Sequence, residues 1–408
     1  MAKVRRRMKN VIAKNLSKIP FKIKFSVLEF TFWCSWCAFS SFAALFFRHR
    51  GLSEGQIGLA LSFSTLAGIL GQLFWGTLCD RKDKIKGPFM AANLLIGLTT
   101  LAFIPFRHPL IIFCLKALLG FAQVPQPAIL DTWVLRSLKD QEKQYGHIRM
   151  WASLGFGLFA FLFGRLLEFT GFSALFIASS IFIGLTLFMS SLTGDVPRDN
   201  SGNKKDGLLK SFKKLIRERR YRFFIGVCFL IGLSARTVHL LLPLLVEKAG
   251  GTSRDLGLAL FFGIITEIPM LLLSKRLAAR FNSRVLIGLS VLLYLGQLGF
   301  LLFASSPFFI YVAMVLQGLA FGNYLPSFRL LIYESSPEEL RTSAQTLGDS
   351  LCSSLTAVIG TAAGGFVIES HGVTPVLIGG LVLLGIALIL LFFYREKEVK
   401  TKSKQVLK

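Results

Sequence analysis

The chain has 408 residues, of which 53% are hydrophobic and 17% charged, with a mean hydropathy of +0.60. Ordinary soluble domains carry about 25% charged residues, so this composition excludes a soluble globular protein and describes one that crosses a membrane many times. The net charge of +25 would suggest a nucleic-acid partner in a soluble chain, but that reading fails where basic residues gather in the loops of one membrane side.

The first 24 residues hold nine Lys or Arg and run into an apolar stretch long enough to span, which reads as an uncleaved first helix rather than a signal peptide. Spanning stretches then mark themselves at about 26–47, 55–78, 87–106, 110–135, 146–168, 172–193, 222–246, 255–276, 285–303, 308–333, 343–367 and 372–394. Each lies near the roughly 20 residues needed to cross. Twelve crossings put both termini on one side, and 37 of the 47 Lys and Arg residues fall in the termini and loops of that side. By the positive-inside rule the side is cytoplasmic, in a bacterial cell membrane. The longest loop, 194–222, opens polar and becomes a basic amphipathic stretch with Leu209, Phe212, Leu215 and Ile216, predicted to lie on the membrane surface. It divides the chain into a basic N-terminal segment and a six-helix unit (1–25 and 26–193), then a second six-helix unit and a basic tail (223–394 and 395–408).

Charges inside the spans are the functional candidates, because an ionisable group at bilayer depth costs roughly 2.5–3.5 kcal/mol and is kept facing a cavity or a partner. Glu29 stands only a few residues into the first helix and reads as snorkelling to the headgroups. Cys34 and Cys37 have a C-x-x-C spacing but lie in an apolar run without a redox context. Arg48, His49 and Arg50 fall in a loop and read as solvated. Asp131, near the end of the fourth span, and Arg149, near the start of the fifth, meet if the two helices are antiparallel neighbours. A guanidinium donates and a carboxylate accepts, so the pair suits a polyol or a nucleoside, or an organic anion through Arg149 alone. The bland alternative is a structural clamp. Trp151 is placed to stack on a sugar or aromatic ring, although packing is the commoner role of such a residue.

Arg236 and His239 share a helical face in the seventh span, and His239 suits proton relay. Glu267, mid-span in the eighth helix, has no sequence-local partner and is the first candidate to carry a proton; its alternative is a permanent bridge to Arg236. Arg329 and Asp349, at the cytoplasmic ends of the tenth and eleventh spans, read as a gate-closing pair or interfacial anchors. The six cysteines and five histidines are dispersed, so no cofactor, no metal site and no catalytic cluster is read, and a polytopic membrane enzyme is the distant alternative.

The halves echo each other. GTLCDRKDK at 76–84 matches SKRLAARFNSR at 274–284, with Arg81 over Arg280, an offset of 199; KALLGFAQVPQP at 116–127 matches MVLQGLAFGNYLP at 314–326, with Gly120 over Gly318, an offset of 198. Parallel six-helix repeats with a midplane site between them describe a large class of secondary transporter. GTLCDRKDK also resembles the loop signature G-x-L-x-D-R-x-G-R-[RK] of the major facilitator superfamily, with Asp83 in place of its glycine. Lys116 with Gly120 resembles that superfamily's R-x-x-x-G, with Lys for Arg. YGHIRMWASLGF resembles the fifth helix of the lactose, phenylpropionate and nucleoside permease branch; Glu267 and EELRTSAQTLGDSL at 338–351 resemble further parts of it.

The resemblance implies an all-α fold of twelve transmembrane helices in two six-helix parallel repeats, and alternating access. It implies solute binding at Asp131 and Arg149, and a latch made by Asp80 and Arg81. Together the readings predict a non-enzymatic, monomeric carrier of a small polar or anionic solute (sugar, nucleoside or aromatic acid), working by proton symport. Its partners are the solute, protons and the lipid bilayer, with no nucleic acid. The alternative within transport is a proton-antiport efflux carrier.

Overall fold

The computed structural model describes residues 20–82, 84–138, 145–195 and 208–394. The N-terminal basic segment up to residue 19, Asp83, the polar opening of the long loop and the basic tail lie outside the described residues. The first half consists of α1 (Phe21–His49), α2 (Glu54–Lys82), α3 (Lys86–Ala102), α4 (Pro109–Leu138), α5 (Tyr145–Thr170) and α6 (Ser173–Leu192). A short α7 (Leu208–Arg217) follows, and the second half consists of α8 (Arg219–Lys248), α9 (Ser253–Arg280), α10 (Ser283–Leu302), α11 (Pro307–Ser335), α12 (Ser343–His371) and α13 (Thr374–Phe393). Eleven of these are long and apolar enough to cross a membrane. The twelfth crossing is α3, whose 17 residues rise about 26 Å, the short end of what spans a bilayer. Below, the end where α1 begins and α7 lies is the linker end, and the opposite one the distal end.

The repeat is visible in backbone detail. Distal turns carry glycines with positive φ at Gly51 and Gly250, and at Gly171 and Gly372, a conformation L-residues other than glycine rarely adopt. The first two are 199 residues apart in the sequence, the same offset as the sequence echo. The matched glycines also do matched work. Gly120 of α4 lies against the Ser64 carbonyl of α2, and Gly318 of α11 lies against the Gly263 carbonyl of α9, each too close for any β-carbon. In a bilayer the lipid tails are as apolar as leucine, so close backbone approach at small residues carries much of the helix association.

The remainder of the core is aromatic. Phe39, Phe46, Phe47, Phe103 and Phe176 form one buried cluster in the first half, with the Phe39 and Phe103 rings 5.1 Å apart. A π-helical turn interrupts α1 at Cys37–Ser41 and another interrupts α12 at Ser350–Leu355, a feature often found at functional positions.

The linker helix corrects one expectation. Leu215 of α7 is fully buried and Phe212 packs against the same protein core, so the amphipathic face docks on the second half instead of on lipid. Only Ile216 of the described apolar positions stays exposed, and Lys214 pairs with Glu339 at 3.6 Å.

The halves meet along two seams, α2 with α12 and α5 with α9. Ser62 Oγ donates to the Val358 carbonyl at 2.8 Å, and Ser253 Oγ donates to the Gly164 carbonyl at 3.1 Å. Gly58 faces Gly365 and Gly164 faces Gly257 across these seams. Polar contacts continue to the distal surface. Glu369 accepts from Ser53 Oγ and from the Gly55 amide, both at 2.8 Å, and Thr252 donates to Glu168. At the linker end Arg329 pairs with Asp349, Lys214 with Glu339 and Arg341 with Glu338, each pair within the second half. The side-chain ties between α2 and α12 and between α5 and α9 hold the halves together along the seams and at the distal end.

Candidate functional site

Antiparallel packing of α4 and α5 brings Asp131 and Arg149 together, with Oδ1 and Nε 3.4 Å apart and both side chains about one-third exposed. Asp131 lies about two turns from the linker end of α4 and Arg149 about one turn into α5, and their exposure leaves both side chains open towards that end of the bundle. The Arg149 guanidinium lies over the Trp33 ring of α1, 4.9 Å from its centroid, a cation–π arrangement. Trp33 Nε1 in turn donates to Glu29 Oε2 at 3.2 Å. The Tyr145 hydroxyl faces the Asp131 carboxylate.

Glu29 thus differs from the snorkelling expectation. It is 1% exposed, its Oε1 has no hydrogen-bond partner among the described residues, and it lies within electrostatic reach of Arg149 and Asp131. Its burial within the protein, with Oε2 held by Trp33, keeps its short side chain from the headgroups. The signal that points to it is the i, i+4 spacing to Trp33 on an inward face. Trp151 stands edge-on to Phe30, with centroids 6.4 Å apart and planes at 72°. It is 42% exposed, so its ring is not locked in a packed core.

The second half contributes the opposing wall. Arg236 of α8 donates from Nη2 to Ser353 Oγ at 3.5 Å, and the π-turn of α12 is what presents Ser353. The same guanidinium lies 5.9 Å from the Phe321 centroid. His239, one turn further along α8, has a buried Nδ1 without a hydrogen-bond partner among the described residues. A permanent Glu267–Arg236 bridge is absent: among the described residues Glu267 has no ion pair within 4.0 Å. It is instead within electrostatic reach of both Arg236 and, in the other half, Arg149. Charges of the two halves therefore come within electrostatic reach of each other, Arg149 with Glu267 and Asp131 with Arg329.

Towards the linker end, Arg329 of α11 pairs with Asp349 of α12 at 3.7 Å, and Arg329 is also within electrostatic reach of Asp131 in the other half. Asp80 and Arg81, which end α2, are exposed. The loop after them is tied inside its own half. The Ile85 and Lys86 amides donate to Asp195 Oδ1 at 3.1 and 3.3 Å, and Lys86 Nζ donates to the Ser191 and Thr193 carbonyls at 2.7 and 2.9 Å. Lys116 is 3% exposed and points its ammonium at the Phe39 ring, 5.9 Å from the centroid.

The distal end corrects the reading of Arg48, His49 and Arg50 as merely solvated. Arg48 pairs with Glu54 at 2.8 Å and, across the halves, with Glu247 at 3.7 Å, while Lys248 reaches Glu54 at 3.6 Å. These four charges join α1, α2 and α8 as a latch. His49 packs its ring on Phe172, with centroids 4.8 Å apart, and Arg50 donates to the Ile104 carbonyl at 3.0 Å.

Known proteins share this architecture. The family described as "MFS_1 like family" matches residues 22–378. The maltose permease of Geobacillus stearothermophilus is 27% identical over 350 residues, covering 85% of this chain and 88% of the permease. The putative nucleoside transporter YegT of Escherichia coli is 20% identical over 405 residues, covering 92% and 94% of the two chains. The crystal structure of the nucleoside transporter NupG superposes with a TM-score of 0.80 at 16% identity, over 92% of this chain and 100% of that one. With a family match over most of its length and the two-repeat, twelve-helix fold, the chain belongs to the MFS_1 like family of major facilitator transporters.

Proposed function

We propose that this transporter moves a neutral polyhydroxylated solute, a sugar or a nucleoside, by alternating access coupled to proton symport. The observation that carries the reading is the division of one charge cluster between the halves: Glu29, Asp131 and Arg149 on one wall, Arg236 and Glu267 on the other. Three carboxyls against two guanidiniums disfavour an organic anion and suit a solute whose hydroxyls both donate and accept. Relatives named for maltose and nucleosides support the same class. Asp131 and Arg149 hold the solute, with Trp151 stacking on its ring and Arg236 reaching from the opposite wall.

Glu267 carries the proton, because its carboxyl has no fixed counter-ion among the described residues, and His239 relays it. The units 26–193 and 223–394 rock about the 194–222 linker as a monomer, and the solute leaves chemically unchanged. With the linker end cytoplasmic, as the basic loops argue, we place the opening of this state at that end, facing inward. On the opposite swing Arg329 exchanges Asp349 for Asp131 and, with Asp80 and Arg81, closes that end.

A thermal-shift screen of the detergent-purified protein against sugars, nucleosides and aromatic carboxylates tests this. A ligand at 100 times its Kd stabilises the folded state by about 2.7 kcal/mol. The expected result is stabilisation by a sugar or nucleoside in the wild type and none in Arg149→Ala. Stabilisation by aromatic carboxylates alone, or stabilisation that survives Arg149→Ala, overturns the assignment.

A further inference from the structure

A second site lies outside the solute path. At the distal end of the first half, a cavity of about 470 Å³ opens between the end of α1, the loop after α3 and the start of α6, with Arg50, Arg107, His49, Phe46, Phe172 and Ser173 among its walls. That volume is in the range of small-ligand sites. We propose that this cavity binds the phosphate group of an anionic amphiphile, with Arg50 and Arg107 as the charge partners and the Ser173 amide at the start of α6 as the backbone donor.

Three independent features converge on an anion. Two guanidiniums face each other's field at Arg50 and Arg107, and burial together with Arg107 holds the Arg50 group below its ordinary value. Among the described residues neither arginine has an ion pair within 4.0 Å. Arg48, Glu54, Glu247 and Lys248, by contrast, pair among themselves. The Arg50 guanidinium is held in place over the Phe46 ring, 4.9 Å from its centroid, and by the Ile104 carbonyl, so its direction is fixed before any ligand arrives. Finally, α6 is a 20-residue helix whose N-cap, Phe172, provides no side-chain cap. Its Ala174 and Leu175 amides already donate to the Gly171 and Phe172 carbonyls at 3.2 Å, so the backbone donor at the positive end of the helix dipole is the amide of its first residue, Ser173, which lines the cavity.

The apolar half of the ligand follows from the rim. Ile104 and Ile177 also line the cavity and are 47% and 61% exposed, on the outer surface of a membrane-spanning bundle. The cavity therefore opens sideways to hydrocarbon, at the depth where a phospholipid headgroup meets its chains. A lipid headgroup and a free phosphate share the recognising chemistry; only the lipid uses this rim.

Hydrogen exchange of the peptide over residues 170–178, in the detergent-purified full chain, reads the site directly and ignores lipid bound to the basic linker end. The additions are phosphatidylglycerol, phosphatidylcholine or inorganic phosphate. Phosphatidylglycerol is expected to slow exchange several-fold at a concentration where phosphatidylcholine does not. Arg107→Gln is expected to raise the concentration required about tenfold, which corresponds to about 1.4 kcal/mol, and Arg107→Lys to restore most of it. Arg107 is exposed and unpaired, so its replacement leaves the fold intact; unchanged exchange elsewhere in the chain verifies that. Protection by inorganic phosphate alone, lost in Arg107→Gln, keeps the anion site and removes the lipid as its source. Equal protection by the two lipids, or protection surviving Arg50→Gln combined with Arg107→Gln, overturns the proposal.

Discussion

Gly164→Ala and Gly365→Ala should open the distal end. A β-carbon on Gly164 stands 2.5 Å from the Ser253 carbonyl oxygen, and one on Gly365 stands 2.6 Å from the Glu54 carbonyl oxygen. Ordinary contact begins at 3.4 Å, so each seam must part by roughly 0.8–0.9 Å, backbone against backbone, with no flexible side chain to give way. Overpacking of that kind costs about 1–3 kcal/mol per site, and it falls on the distally closed state alone. The helix-propensity gain of alanine over glycine, up to about 1 kcal/mol, applies to both states and cancels. Each substitution therefore shifts the ratio of distally open to closed molecules by about 5–150-fold.

Spin labels at Thr170→Cys and Arg254→Cys, both exposed at the distal ends of α5 and α9, measure the change by electron–electron distance, with the accessible Cys79 and Cys114 replaced by serine. A longer distance population is expected in either alanine variant, and a larger one in the pair. Gly184→Ala, where a β-carbon meets nothing within 4 Å, serves as the control. An unchanged distance distribution in folded double-alanine protein would refute the idea that backbone contact at these seams sets distal closure.

Two further outcomes follow from the same geometry. Glu54→Gln removes the acceptor shared by Arg48 and Lys248; because those cations are about 37–38% exposed, the latch is worth little per pair. A shift of a few-fold towards the open distal distance is expected, and high salt should imitate it in the wild type; insensitivity to both would make the latch decorative. Asn323 is buried in α11 and donates from Nδ2 to the Leu286 carbonyl at 2.7 Å and to Ser290 Oγ at 2.8 Å, bonds that tie α11 to α10. Asn323→Ala should cost about 1–3 kcal/mol and lower the Tm by several degrees, and an unaltered Tm would show that these bonds add nothing to what water or lipid-exposed states provide.

Much of the fold is legible in the sequence because hydropathy and loop charge are local signals. Departures have local physical causes too. The third helix stops at Ala102 instead of near 106 because Pro105 disfavours helix at the residue before it. The first helix begins at Phe21, since Lys22 and Lys24 are compatible with helix even where they lie outside hydrocarbon.

Partners are another matter. Asp131 and Arg149 are readable because a short loop makes α4 and α5 neighbours. Glu29 is only half so, since its i, i+4 spacing to Trp33 is in the sequence but the closing of Arg149 over Trp33 is not. The distal latch is not, because in it Arg48 and Glu54 meet Glu247 and Lys248 from nearly two hundred positions away. The linker helix shows the same limit: its amphipathic period is plain in the sequence, but whether Leu215 faces lipid or protein is decided only by packing.

The central claim is proton-driven carriage through a site shared by both halves, and uptake into proteoliposomes tests it most directly. The solute identified by the stabilisation screen would be supplied outside vesicles with an imposed pH gradient, for the wild type and Glu267→Gln. The wild type should accumulate solute above equilibrium. Glu267→Gln should lose that accumulation while retaining solute exchange without a gradient. Full gradient-driven accumulation by Glu267→Gln, or none by the wild type in vesicles that do exchange solute, would contradict it.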